Sequence, residues 1–169
     1  MTTTFASHAE NPLRSVIDLN IRSWNLQNKA VTDFFNLYED DYYLNEVAPG
    51  KNRAVYLLGH LIASSDNMLP LFGLGERLYP AYEEIFALKP DRAFDEIPSV
   101  AELKKNWSEV NTALAGHFSK IEPADWLDRH TKVSAEDFAR QPERNKLNVL
   151  MGRTSHISYH MGQLVFLKK

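Results

Sequence analysis

Apolar residues recur in threes and fours along four segments of this chain, and no stretch between them shows the two-residue alternation of a half-buried strand. The first segment spans about 12–38. Leu13, Ile17, Asn20, Trp24, Gln27, Val31, Phe34 and Tyr38 share one helix face there, with Pro12 suited to the first turn and Asn11 to its cap. Pro49 and Gly50 then break the pattern. The second segment, 52–73, stops at Gly73 and Gly75, and Pro70 is placed to kink or sharpen its last turn. The third, 99–118, opens on Ser99 with Glu102 three residues later, a capping box. Val100, Leu103, Trp107, Val110, Leu114 and Ile121 form its stripe. The fourth, 143–167, sets Leu147, Leu150, Thr154, Ile157, Met161 and Leu164 beside a polar line that carries histidines.

The connections at 74–98 and 120–142 are far longer than the two to eight residues of a simple helix hairpin. They argue against four helices joined in series by tight turns. The expectation is an all-α four-helix bundle, residues 1–169 as one domain, with one or both connections crossing an end of the bundle and shaping a site.

Composition narrows the chemistry. Lys and Arg number 19 against 22 Asp and Glu, giving a net charge of −3 with no basic stripe, so nucleic acid is not an expected partner. Cysteine is absent, which excludes disulfides, a protein thiolate nucleophile and Cys-ligated zinc; any metal must rest on His, Asp or Glu. Residues 1–7 lack the features of a signal peptide, and the apolar run 54–62 is too short to cross a bilayer. A cytoplasmic protein without a membrane partner is therefore expected.

Six histidines occur, and His156 and His160 stand four apart, on one helix face and close enough to share an ion. Spacing alone leaves open a pair of hydrogen-bonded imidazoles on an amphipathic face. His60 sharpens the choice. It interrupts an apolar helix, where an imidazole needs a partner, and facing helices that each offer inward histidines can build a metal site. Three neutral imidazoles also leave coordination positions open. The di-iron pattern is absent, since Leu57, Leu114, Arg153 and Ile157 stand three before four of the histidines. The zincin motif fails too, with Ile157 where its Glu would be.

Several polar residues accompany these three. Ser64 and Asn67 follow His60 by one and two turns, and either could orient an imidazole, bind substrate or make an ordinary interhelical bond. Gln163 could accept from an imidazole N–H of His160. Arg153 could hold the carboxylate of a thiol cofactor or make a surface ion pair. Asn20 and Gln27 could line the same cavity or bond to neighbouring helices. His8, His117 and His130 receive no role.

The segment Gly50-Lys-Asn-Arg-Ala-Val-Tyr-Leu-Leu-Gly-His60-Leu-Ile resembles the second-helix motif of the DinB-like (YfiT-like) superfamily. Asp137-Phe-Ala-Arg, Arg144-Asn-Lys-Leu-Asn-Val-Leu and Arg153-Thr-Ser-His156-Ile-Ser-Tyr-His160-Met-Gly-Gln163 look like its last helix. The resemblance implies an up-down-down-up bundle, a Zn2+ or Ni2+ ion on His60, His156 and His160, and a homodimer. It further implies a metal-dependent transferase that joins a low-molecular-weight thiol of the bacillithiol type to a small-molecule substrate. Two alternatives stand beside it: a hydrolase that uses metal-activated water, and a non-enzymatic metal-binding stress or interaction module.

Overall fold

The computed structural model describes residues 12–167, so Asn11 and His8 lie outside the described residues. Six helices follow in order: α1 Pro12–Phe35, α2 Ala54–Asp66, α3 Met68–Phe72, α4 Val100–Phe118, α5 Ala135–Arg140 and α6 Lys146–Leu164. Among the described residues the extended backbone forms only two isolated bridges, Glu46 with Arg53 and Arg129 with Asn145. The architecture is all-α.

Hydrogen bonds at the helix ends explain where these helices depart from the boundaries read in the sequence. The stripe reaches Tyr38, yet α1 ends at Phe35. Tyr43 closes it there: its hydroxyl donates to the Phe34 carbonyl at 2.7 Å and accepts from the Tyr38 N–H at 3.0 Å. Those are groups a helix end leaves orphaned. The expected second helix is two pieces, broken at Asn67. Pro70 lacks the N–H that would bond to the Asp66 carbonyl, and its ring crowds that same oxygen. Gly73 then caps α3 at φ 71°, a left-handed conformation suited to glycine.

Ser99 does cap α4, accepting from the Glu102 N–H at 3.2 Å. The last helix starts at Lys146, later than the expected 143, because Asn145 folds back to accept the Asn148 N–H at 2.9 Å. Asp137–Arg140, which the resemblance assigned to the last helix, instead belongs to the separate short helix α5. Ser134 accepts the Asp137 N–H there, and Pro142 stands between the two helices.

Four long elements enclose the core. α1 packs on α6 and α2 on α4, while α2 with α6 and α1 with α4 complete the ring. Side-chain contacts fix the directions. Trp107 near the start of α4 bonds to Thr32 near the end of α1, so these two run oppositely. Phe72 just past α2 stacks near Phe118 at the end of α4, with centroids 5.8 Å apart, so those run together. Tyr42 after α1 donates to the Leu167 carbonyl after α6 at 2.5 Å, so α1 and α6 also run together. The path is therefore up-down-down-up.

Such a path requires long crossings. The first holds a single π-helical turn at Glu84–Leu88 that docks on α2. The second threads the buried Trp126 against Phe72 and Phe118 and is pinned by the Thr131 N–H to the Leu71 carbonyl at 2.9 Å. No helix of the described residues is long and apolar enough to cross a membrane.

Candidate metal centre

Helix α2 is buried nearly all round. From Ala54 to Leu69 only His60, Ser64 and Asn67 escape full burial. That i, i+4, i+7 line faces α6, which offers Gln163, His160, His156 and Arg153 in the opposite sense. Leu57, Leu58, Leu61 and Ile62 are each no more than 2% exposed, and they fix the helix rotation that turns His60 toward α6. Rotating it away would expose side chains whose burial contributes about 1.5–3 kcal/mol each.

The three Nε2 atoms meet. His156 Nε2 lies 3.1 Å from His60 Nε2 and 2.9 Å from His160 Nε2. All three lie within 4.8 Å of one another, and among the described residues no Asp or Glu oxygen joins the group. Two of the outer nitrogens are tethered. His60 Nδ1 donates to the Phe86 carbonyl at 2.8 Å, and His160 Nδ1 donates to Gln163 Oε1 at 2.7 Å. Each tether places the ring proton on Nδ1 and leaves a lone pair on Nε2.

Only His156 could then supply a proton to hold the cluster together. A divalent ion serves the three lone pairs better, because tetrahedral coordination at about 2.0–2.1 Å sets nitrogens roughly 3.3 Å apart. The observed spacing is slightly tighter than that, and a small shift would open it.

The electrostatics agree. Burial, reinforced by His160, His60 and Arg153, lowers the His156 pKa to about 4. Burial and His60 also lower His160, although its bond to Gln163 works against them. Both rings are therefore neutral at pH 7, the form that binds metal. His156 Nδ1 is buried without a partner. His160 is 9% exposed, while His60 and His156 are half-buried, so the cluster is not sealed.

Sequence reasoning missed Phe86, because it supplies a backbone carbonyl from within a long connection. One signal was available. Gly59 sits in a helix interior, where glycine usually marks close approach. A Cβ at Gly59 would lie 2.5 Å from the Phe86 ring, so this glycine lets the π-helical turn dock and present the Phe86 carbonyl to His60.

The other candidates divide. Gln163 takes the role considered for it, and its amide nitrogen further donates to the Tyr159 hydroxyl at 3.2 Å. Asn67 accepts from Arg77 at 2.7 Å and touches no imidazole by hydrogen bond. The side chains of Ser64 and Gln27 make no hydrogen bond to a described residue. Asn20 spends its amide on the Val16 carbonyl at 2.8 Å, within its own helix. Arg153 makes neither a surface ion pair nor any hydrogen bond to a described residue, and its Nε is buried.

Neither a known family model nor a curated protein matches the sequence. A solved structure does match: the crystal structure of a conserved protein from Enterococcus faecalis, with TM-score 0.62 and 14% identity over 90% of this chain and 94% of that one. At that identity the likeness shows the fold alone.

Proposed function

We propose that this chain is a DinB-like metal protein whose His60, His156 and His160 hold one Zn2+ or Ni2+ ion. We further propose that it acts as a transferase, joining a low-molecular-weight thiol to a small electrophile. The observation that carries this reading is the convergence of three Nε2 atoms, two of them fixed in tautomer by Phe86 and Gln163. The up-down-down-up path agrees with what the resemblance implies, although a fold by itself names no activity.

A divalent ion held there would make a coordinated thiol acidic at neutral pH. The chain has no cysteine, so the sulfur would come from a cosubstrate. The protein's part is orientation. Phe86 and Gln163 tether two imidazoles, and His60 and His156 are half-buried, so the cluster is open to solvent on that side. Exposed apolar side chains on α1 (Val16, Leu19, Leu26) and α6 (Met151, Tyr159) support the expectation of a homodimer, which light scattering would test.

The test is elemental analysis of dialysed, metal-loaded protein, followed by turnover of chlorodinitrobenzene with bacillithiol, glutathione and cysteine. One ion per chain and thiol-dependent turnover are expected, both lost in His156→Ala. Protein that retains no metal would refute the centre. Metal without thiol-dependent turnover would refute the transferase. Ester cleavage without thiol would move the assignment to a hydrolase, and a large chelation-induced drop in melting temperature without turnover would move it to a binding module.

A further inference from the structure

Arg153 is an anomaly. It stands one turn before His156 on α6, with its Nε buried and no acceptor for any of its N–H groups among the described residues. Only Nε is buried and the terminal nitrogens keep contact with solvent, but a guanidinium half withdrawn from water without an anion still carries a cost. Its surroundings aggravate the cost. Burial and the nearby Arg77 both work against its charge, and Arg153 in turn disfavours charge on His156.

Arg77 itself is held in place. One terminal nitrogen donates to Asn67 Oδ1 at 2.7 Å and to Glu83 Oε1 at 2.8 Å. Asn67 continues the line from His60 and Ser64, so Arg77 is anchored to the same face of α2 that carries the first histidine. Glu83 compensates Arg77, which leaves Arg153 as the unmatched charge. A divalent ion on the three imidazoles would add two more positive charges, with no carboxylate of a described residue in the group to offset them. Arg77, Asn67 and Glu83 also wall an open cleft of about 410 Å3.

We propose that Arg153, flanked by Arg77, seats the carboxylate of a small molecule whose other end reaches the three histidines. A single unmatched guanidinium suits a monoanion, and its planar fork suits a carboxylate. A dianionic phosphate would leave excess negative charge beside Glu83. Asn67 is a positioning residue for Arg77, and the substrate class is a carboxylate-bearing thiol or electrophile. The assignment rests on the metal reading above, and it names what enters the open side of that centre.

The probes are 2-mercaptoethanol, mercaptoacetate, 3-mercaptopropionate and 4-mercaptobutyrate, titrated into Co2+-loaded protein and followed in the visible cobalt spectrum. All present the same thiol, and the acids add a carboxylate at increasing reach. At least one acid is expected to bind tenfold or more tighter than 2-mercaptoethanol. Arg153→Met should abolish that preference while leaving 2-mercaptoethanol within twofold, and Arg153→Lys should keep part of it. Equal binding of all four thiols to the wild type, or a preference that survives Arg153→Met, overturns the proposal while leaving the metal centre intact.

A second readout needs no metal. The metal-free Arg153→Met protein should melt several degrees above the metal-free wild type, since it loses an uncompensated charge. An equal or lower melting temperature overturns the proposal. Should no thiol perturb the cobalt spectrum, the thiol chemistry falls and this melting comparison alone decides the seat.

Discussion

Arg53 and Arg153 are both half-buried arginines, one at the entry to α2 and one within α6, and they are treated in opposite ways. Arg53 meets Asp91 through Nη2 at 2.7 Å and Nε at 3.0 Å, and its backbone N–H donates to the same carboxylate at 2.8 Å. The Asp91 side chain is only 4% exposed, yet its charge is matched and sits where the dipole of α2 favours an anion. Arg153 has no such partner among the described residues. The first arrangement is what a structural charge needs: it ties the long connection 73–99 to the helix that carries His60. The second leaves an interaction open for something from outside, as residues at functional sites commonly do at a cost in stability.

The largest break in this contrast would come from making Arg53 resemble Arg153. Asp91→Ala should lower unfolding stability by about 3 kcal/mol, the low end for stripping one partner from a buried pair. Urea denaturation would measure it. A loss below about 1 kcal/mol, the range of exposed pairs, would show that the clamp is not structural and that the two arginines differ less than their contacts indicate.

A somewhat smaller effect is expected nearly two turns further along α2. Gly59→Ala forces a methyl group into the Phe86 ring, an overpacking that costs about 2 kcal/mol. It should also displace the carbonyl that orients His60 and weaken metal binding roughly tenfold. Metal titration of the folded variant reads the second effect separately from the first. Unchanged affinity would mean that the Phe86 tether does not set the His60 tautomer.

The smallest effect is in pH dependence. Burial pushes the Asp91 carboxyl up, but the Arg53 side chain and backbone outweigh it and hold the pKa below its usual 3.8. A depressed folded value means the stabilisation is complete above the unfolded pKa and is lost as pH falls through the folded one. The stability gap between wild type and Asp91→Asn should therefore be flat at neutral pH and narrow below about pH 4. A gap independent of pH down to acid unfolding would count against the pair.

Legibility in the sequence followed the range of the interactions involved. Ile17, Trp24, Val31, Leu103, Leu114 and Leu150 could be assigned to the core from spacing alone, and all are buried, because a helix repeats its environment every three to four residues. Ser99 was likewise readable as a cap, a contact three residues long. The end of α1 was not, since the hydroxyl that closes it comes from Tyr43 in the next element. Asn20 and Gln27 looked like cavity residues because they interrupt a stripe. Asn20 instead bonds to its own helix, and an interruption does not say which neighbour answers it.

The site divides in the same way. The sequence by itself determined an all-helical chain with three histidines at spacings suited to one ion, and it put Gln163 within reach of His160 on a shared helix face. Periodicity and spacing left the directions of α2 and α6 open. The tertiary structure shows that they run oppositely, as the resemblance implied, which sets His60 against His156 and His160 and brings Asn67 to the Arg153 end. It alone supplied the Phe86 carbonyl and Arg77, both delivered by a connection whose course depends on Gly59 and the Arg53–Asp91 clamp. It alone left Arg153 without a partner among the described residues. A guanidinium in a sequence can always be imagined paired; whether an anion stands beside it is set by how separate segments pack, and no local pattern encodes that.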